Sequence, residues 1–167
     1  MKVHKLTKLA LFAALALAIY YLESLLPPVV PIPGIKLGLA NIITLLVLYL
    51  YGARDAGLVL LVRILLSALL FGQALSLLYS LCGGALCYLA MVCACKLLQA
   101  HFPELTSILG GIFHNIGQIL IALLITAVPG VLAYLPYLLI SGIITGLFTG
   151  LCVRFVRHYL RRFQPLI

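Results

Sequence analysis

From Ala74 to Cys95 the chain reads "ALSLLYSLCGGALCYLAMVCAC", without one charged side chain. A helix of about 20 such residues, rising 1.5 Å per residue, spans the hydrocarbon core of a bilayer. The pattern recurs along the chain. Pro, Gly and charged residues divide it into six apolar runs, at 6–26, 38–52, 55–71, 74–98, 106–127 and 132–156. The second and third are short and meet at "YGARDAG". Hydrophobic residues make up 65% of the 167 and charged residues 8%, with mean hydropathy +1.28, which excludes an ordinary soluble domain. Six runs use up the length. The expected fold class is an all-α integral membrane protein, a six-helix transmembrane bundle forming one domain over 1–167.

The first run begins like a signal peptide, with Lys2, Lys5 and Lys8 before an Ala/Leu stretch. It runs too long, and Pro-rich "LLPPVVPIPG" follows it rather than a small-residue cleavage site, so it reads as a span. Cationic residues then set the orientation. With six spans, Lys2, Lys5, Lys8, Arg54, Lys96, Arg154, Arg157, Arg161 and Arg162 share one face, and the opposite loops carry only Lys36. Both termini are expected to be cytoplasmic, in the cell membrane. The formal charge of +8 is thereby a topology signal and not a nucleic-acid footprint; "RFVRHYLRRF" is expected to rest on anionic membrane lipids. The five Cys form no C-x-x-C pair and read as small apolar residues rather than a metal or redox site.

Polar residues inside the apolar runs carry the functional signal. In "GGIFHNIGQIL", Gly111, His114, Asn115, Gln118 and Ala122 fall within an arc of about 100°, with Ile112, Ile116, Ile119 and Leu123 opposite, as on a helix with a polar and a lipid face. Such groups can simply bond across helices. Three on one face, with Gly and Ala leaving space, point to binding. Arg63 lies midway along the third run, sharing a face with Ser67 and Phe71. A charge at that depth costs about 2.5–3.5 kcal/mol on insertion scales, so it must face inward and find a partner. With three acids in the chain, an anionic ligand group is one candidate partner and a backbone carbonyl the other.

The fourth run adds Ser76, Tyr79, Ser80, Gly83, Gly84 and Cys87 at helical spacing, and the sixth adds Tyr137, Ser141, Thr145, Thr149 and Cys152. Together they predict a cavity open toward the Lys36 side, with "PPVVPIPGIK" as a stiff flap whose terminal Lys36 can meet the same anion as Arg63. On the first run Ala10, Ala14 and Ala18, with Ala13 beside them, make a small-residue ladder, a flank for close helix approach either within the bundle or by an external partner.

The ladder in "TKLALFAALALAIYYLES", the Pro-rich first loop, "IKLGLANIITLL" and six spans in about 170 residues resemble the substrate-binding S-components of energy-coupling-factor (ECF) transporters. "PGIKLGLANI" and "GGIFHNIGQ" are similar, more narrowly, to the heptaprenyl diphosphate synthase component I group, also called the Gx transporter family. The resemblance covers essentially the whole chain. It implies a small vitamin-like substrate taken up from outside, an ECF T-component contacting Ala10, Ala14 and Ala18, and two cytoplasmic ATPase subunits. The chain has no G-x-x-x-x-G-K-[ST] phosphate loop of its own.

Prenyl-chain synthesis needs clustered aspartates holding magnesium against a diphosphate, and Asp55 is the sole Asp here. The chain is expected not to be an enzyme; a non-catalytic membrane accessory subunit of a polyprenyl diphosphate synthase is the alternative. The candidate substrate-binding residues are Lys36, Asn41, Arg63, Ser67, Phe71, Tyr79, Ser80, His114, Asn115, Gln118, Tyr137 and Ser141, with Ala10, Ala14 and Ala18 as the partner surface. No cofactor or metal is expected. Arg63 and Lys36 favour an anionic group, and Phe71, Tyr79 and Tyr137 an aromatic or isoprenoid body.

Overall fold

A computed structural model describes residues 3–27, 36–71 and 74–163. Among these are six α-helices: α1 (Val3–Ser24), α2 (Asn41–Tyr51), α3 (Ala53–Phe71), α4 (Ala74–Leu97), α5 (Pro103–Thr126) and α6 (Leu135–Phe163), the last preceded by a 3₁₀ helix (Pro129–Tyr134). Residues 28–35 of the expected flap lie outside the described residues, as does Lys2.

Four segments are long and apolar enough to cross a membrane: α1, Leu75–Leu97, α5 and Pro129–Leu160. α2 and α3 are different, each for a physical reason. The 11 residues of α2 rise only about 16 Å, half of the hydrocarbon core. α3 has the length but carries Arg54, Asp55 and Arg63, so its depth depends on burying charge inside the protein. The α2–α3 junction falls at Gly52, whose φ of +92° suits a residue without Cβ and turns the chain while its N–H still bonds to Leu48 O. α2 starts later than the 38–52 run suggested, because residues 36–40 descend as non-helical backbone. α5 starts earlier than 106, since Pro103 sits at its first turn, where a missing N–H is harmless.

α5 is the centre of the bundle, flanked by α4 and α6; α2 packs on α1, α3 and α6, and α1 on α3. That placement corrects the lipid face expected for α5. Ile119 is buried, 2% exposed, against Tyr79 and Leu138, while Leu109, Phe113, Leu120 and Leu124 form the exposed stripe. A helix covered on two sides keeps only a narrow lipid-facing strip. Elsewhere exposed leucines and aromatics, among them Leu11, Leu69, Ile144 and Phe148, form an apolar exterior suited to lipid.

Two apolar clusters fill the interior. The basal one, toward the start of α1 and the end of α6, gathers Leu9, Ala13, Ala16, Leu45, Val47, Met91 and Val153. The distal one gathers Tyr79, Ile119, Ala122, Val131 and Leu138. The basal end is closed by ion pairs Lys5–Asp55 and Arg154–Glu104, both at 2.7 Å.

Candidate functional site

Between the two apolar clusters lies a polar layer drawn from five helices and the segment before α2. His114 faces Gln118 one turn on, Nε2 to Nε2 at 3.1 Å, and Asn41 Nδ2 at 3.3 Å from its Nδ1. Asn41 Oδ1 accepts from Arg63 Nη2 at 3.4 Å, so its NH₂ is the group turned toward His114. A neutral imidazole carries one donor and one acceptor, so at most one of these two amides donates to it. His114, Asn115, Gln118, Arg63 and Asn41 are all buried. The fold leaves Arg63 Nε, Asn115 Oδ1 and one end of the Gln118 amide without a hydrogen-bond partner, since only the other end meets His114. Unpaired buried groups of this kind cost about 1–3 kcal/mol each and call for a further partner.

Non-helical backbone reaches this depth only where protein satisfies it. Here Gly38 N–H donates to Glu23 Oε1 at 2.6 Å. Gly38 has φ +82°, and a Cβ there would stand 2.8 Å from His114 Cδ2, so the descent requires glycine. Glu23 is buried at 6% exposure and acts on Arg63 and Lys36 through space, with no ion pair within 4 Å among the described residues. Of the three acids Glu23 is the one in this layer, while Asp55, also buried, pairs with Lys5 at the basal end. Glu23 supplies one negative charge against the two positive charges of Arg63 and Lys36, leaving the layer at +1 (+2 − 1).

Tyr20 joins the two cations. Lys36 Nζ lies 3.6 Å over its ring, Arg63 Cζ 5.9 Å from the ring centre, and its hydroxyl pairs with Ser76 Oγ at 2.7 Å. Phe71 stacks on Tyr21 at 5.4 Å and lies 6.0 Å from Tyr20, giving an aromatic cluster on the distal side of the layer. Ser80 is buried on the same face of α4 as Ser76. Sequence reasoning missed Tyr20 and Glu23; the available signal was a tyrosine and a carboxylate three positions apart at the end of an apolar run.

Other candidates fall elsewhere. Tyr137 is 66% exposed and does not line the layer. Residues four apart on a helix drift about 40° per step, so Tyr137 points well away from buried Thr149. Tyr79 is buried, but in the distal apolar cluster. Ser67 spends its hydroxyl on Ile64 O at 2.8 Å, and partly buried Ser141 offers its carbonyl to Thr145 Oγ1 at 2.9 Å. Asn115 Nδ2 donates to Leu138 O at 2.5 Å, tying α5 to α6. Below Asn41 a cavity of about 10 Å³, edged by Ser107, Thr145 and Thr149, has room for one water. On α1, Ala10, Ala14 and Ala18 are exposed, while Ala13 and Ala16 face the core. Among the described residues no three His, Cys, Asp or Glu side chains group as metal ligands.

A helical, membrane-type protein with a buried, cationic, incompletely satisfied polar layer is the class these features define. The family model for heptaprenyl diphosphate synthase component I matches residues 12–156, and the chain belongs to that family. No curated protein and no solved structure matches the chain.

Proposed function

We propose that the chain is the substrate-binding membrane subunit, or S-component, of an ECF-type importer, with six membrane-crossing segments and both termini cytoplasmic. It captures a small anionic compound with an aromatic or isoprenoid body from the outer side. The observation that carries this reading is the buried Arg63, with an unpartnered Nε and the incompletely paired amides of Asn115 and Gln118 in the same polar layer. A layer built only to hold helices together would pair its groups internally. The residual positive charge selects an anion, and Tyr20 and Phe71 suit its apolar part. The exposed Ala10, Ala14 and Ala18 leave a smooth flank for a T-component, and two cytoplasmic ATPases supply the hydrolysis for which the chain has no phosphate loop. The chain itself is not catalytic in this reading.

Arg63→Met is the test. The substitution removes a costly buried charge, so insertion is retained. Ligand affinity is expected to fall more than tenfold, as loss of a charge-assisted hydrogen bond of about 1.5–3 kcal/mol requires. The ligand is first identified by mass spectrometry of small molecules extracted from the purified chain. Unchanged affinity in Arg63→Met would sink the anion role. A second reading takes up the family's description: a membrane accessory subunit of a polyprenyl diphosphate synthase. Its signature is co-purification with a soluble Asp-rich enzyme and no extracted small molecule.

A further inference from the structure

The basal end carries a second polar feature, unrelated to the layer around Arg63. Where α4 gives way to α5 the chain turns through Gln99 and Ala100, two consecutive non-glycine residues at φ 48° and 57°. Left-handed backbone at successive residues with Cβ atoms is uncommon and needs local support. The support is visible. Ala100 N–H bonds to Cys95 O at 2.9 Å, and Arg157 Nη1 donates to Ala100 O at 3.3 Å. The Arg157 guanidinium also lies 4.2 Å over the Tyr49 ring, whose hydroxyl pairs with Thr106 Oγ1 at 3.0 Å. This arginine is therefore held in place rather than free to sweep the surface.

Between that turn and α6 opens a cleft of about 320 Å³, lined by Gln99, His101, Arg154, Arg157 and His158 together with Ala100 and Pro103. Its volume is at the lower end of small-molecule sites, roughly 300–1,000 Å³. Among the described residues no carboxylate lines it. Glu104, next in the chain to Pro103, is occupied by Arg154 at 2.7 Å, and the Arg154 side chain remains 63% exposed, with N–H groups to spare. Two guanidinium groups and two imidazoles facing one small space match the oxygens of a phosphoryl group, which guanidinium binds through paired N–H donors. The cleft also lies where apolar exterior gives way to charge, beside exposed Leu97, Phe102 and Phe155.

We infer that this cleft binds a phosphoryl group, either the headgroup of a membrane amphiphile or a free diphosphate. The site stands whether or not the layer around Arg63 binds a substrate.

The probe is inorganic diphosphate, titrated calorimetrically at low salt into the full chain in phosphatidylcholine nanodiscs. Saturable binding at a single site is expected. Arg157→Gln should weaken it at least tenfold, and because that change also removes the Ala100 and Tyr49 contacts, a second variant is needed. His101→Ala/His158→Ala alters two exposed side chains, should keep the wild-type melting temperature and should weaken binding about threefold or more. Repeating the titration with phosphatidic acid in the nanodiscs separates the sources: competition in the wild type, lost in the double variant, assigns the headgroup, and undiminished diphosphate binding assigns the free anion. Absence of saturable diphosphate binding together with no enrichment of phosphatidic acid on the chain, or equal binding by the wild type and both variants, overturns the inference.

Discussion

Ala10, Ala14 and Ala18 on α1 and Gly142, Gly146 and Gly150 on α6 share a four-residue spacing, yet one row faces outward and the other lies against a helix. On α6 the glycines bring backbone onto backbone. A Cβ on Gly146 would stand 2.7 Å from Ile108 Cα, one on Gly150 2.5 Å from Glu104 Cα, and one on Gly142 2.9 Å from Gly111 O. Ser107 and Thr149 pair across the same seam at 2.6 Å. On α1 the ladder alanines are exposed, and the helix meets the core instead through Leu9, Ala13 and Ala16. Small residues at this interval permit close approach, but the interval does not say to what. On α6 the glycine row meets a helix with a glycine of its own, Gly111; the alanine row on α1 stays exposed among the described residues.

The sharpest way to break the comparison is to add bulk at the glycine seam. Gly146→Leu places a branched side chain where even a Cβ has no room against Ile108. Overpacking usually costs about 1–3 kcal/mol, and a clash with backbone rather than a pliable side chain lies at or beyond the top of that range. The folded, monodisperse fraction in detergent should collapse. Wild-type yield and melting temperature in Gly146→Leu would mean that α6 does not seat on α5 through this row.

A smaller effect is expected from the buried face of α1. Ala16 is fully buried, and Ala16→Leu should lower stability by about 1–3 kcal/mol, read as a fall in melting temperature of the isolated chain. The same change in size one helical face away, at Ala14, supplies the internal control. If both variants melt alike, α1 has no distinct core and exposed faces.

The two rows also show what the sequence can and cannot reveal. Periodicity identified the apolar runs and turned His114, Asn115 and Gln118 toward the interior, because three polar groups on one arc have no other low-cost place in an apolar exterior. It misassigned Ile119, since one helix's pattern does not disclose how many neighbours cover it. On α6 it marked Thr145 and Thr149, which edge the small cavity below Asn41, but not the packing seam of Gly142, Gly146 and Gly150 beside them; both patterns have the same period, and only the contact with α5 tells them apart. The polar layer was legible only in part. Arg63, Asn41 and His114 meet across 73 positions of chain, and Glu23 enters through a hydrogen bond to Gly38, a backbone group with no side-chain signature.

The smallest expected effect on the isolated chain is the most informative about α1. Ala14 is exposed, so Ala14→Leu adds apolar surface where lipid or detergent already lies, and stability should stay within about 0.5 kcal/mol of wild type. Ligand affinity should also be unchanged, because the Arg63 layer does not include that face of α1. If the ladder receives an external helix, the added side chain keeps the two backbones apart, and association with the energising complex should be lost while the solitary chain behaves normally. Melting temperature, ligand affinity and uptake by the assembled complex, all measured on this one variant, separate the cases. Loss of uptake alone supports a partner on the ladder; joint loss of stability and affinity would place the ladder inside the bundle; uptake at the wild-type rate would show that Ala10, Ala14 and Ala18 face only lipid.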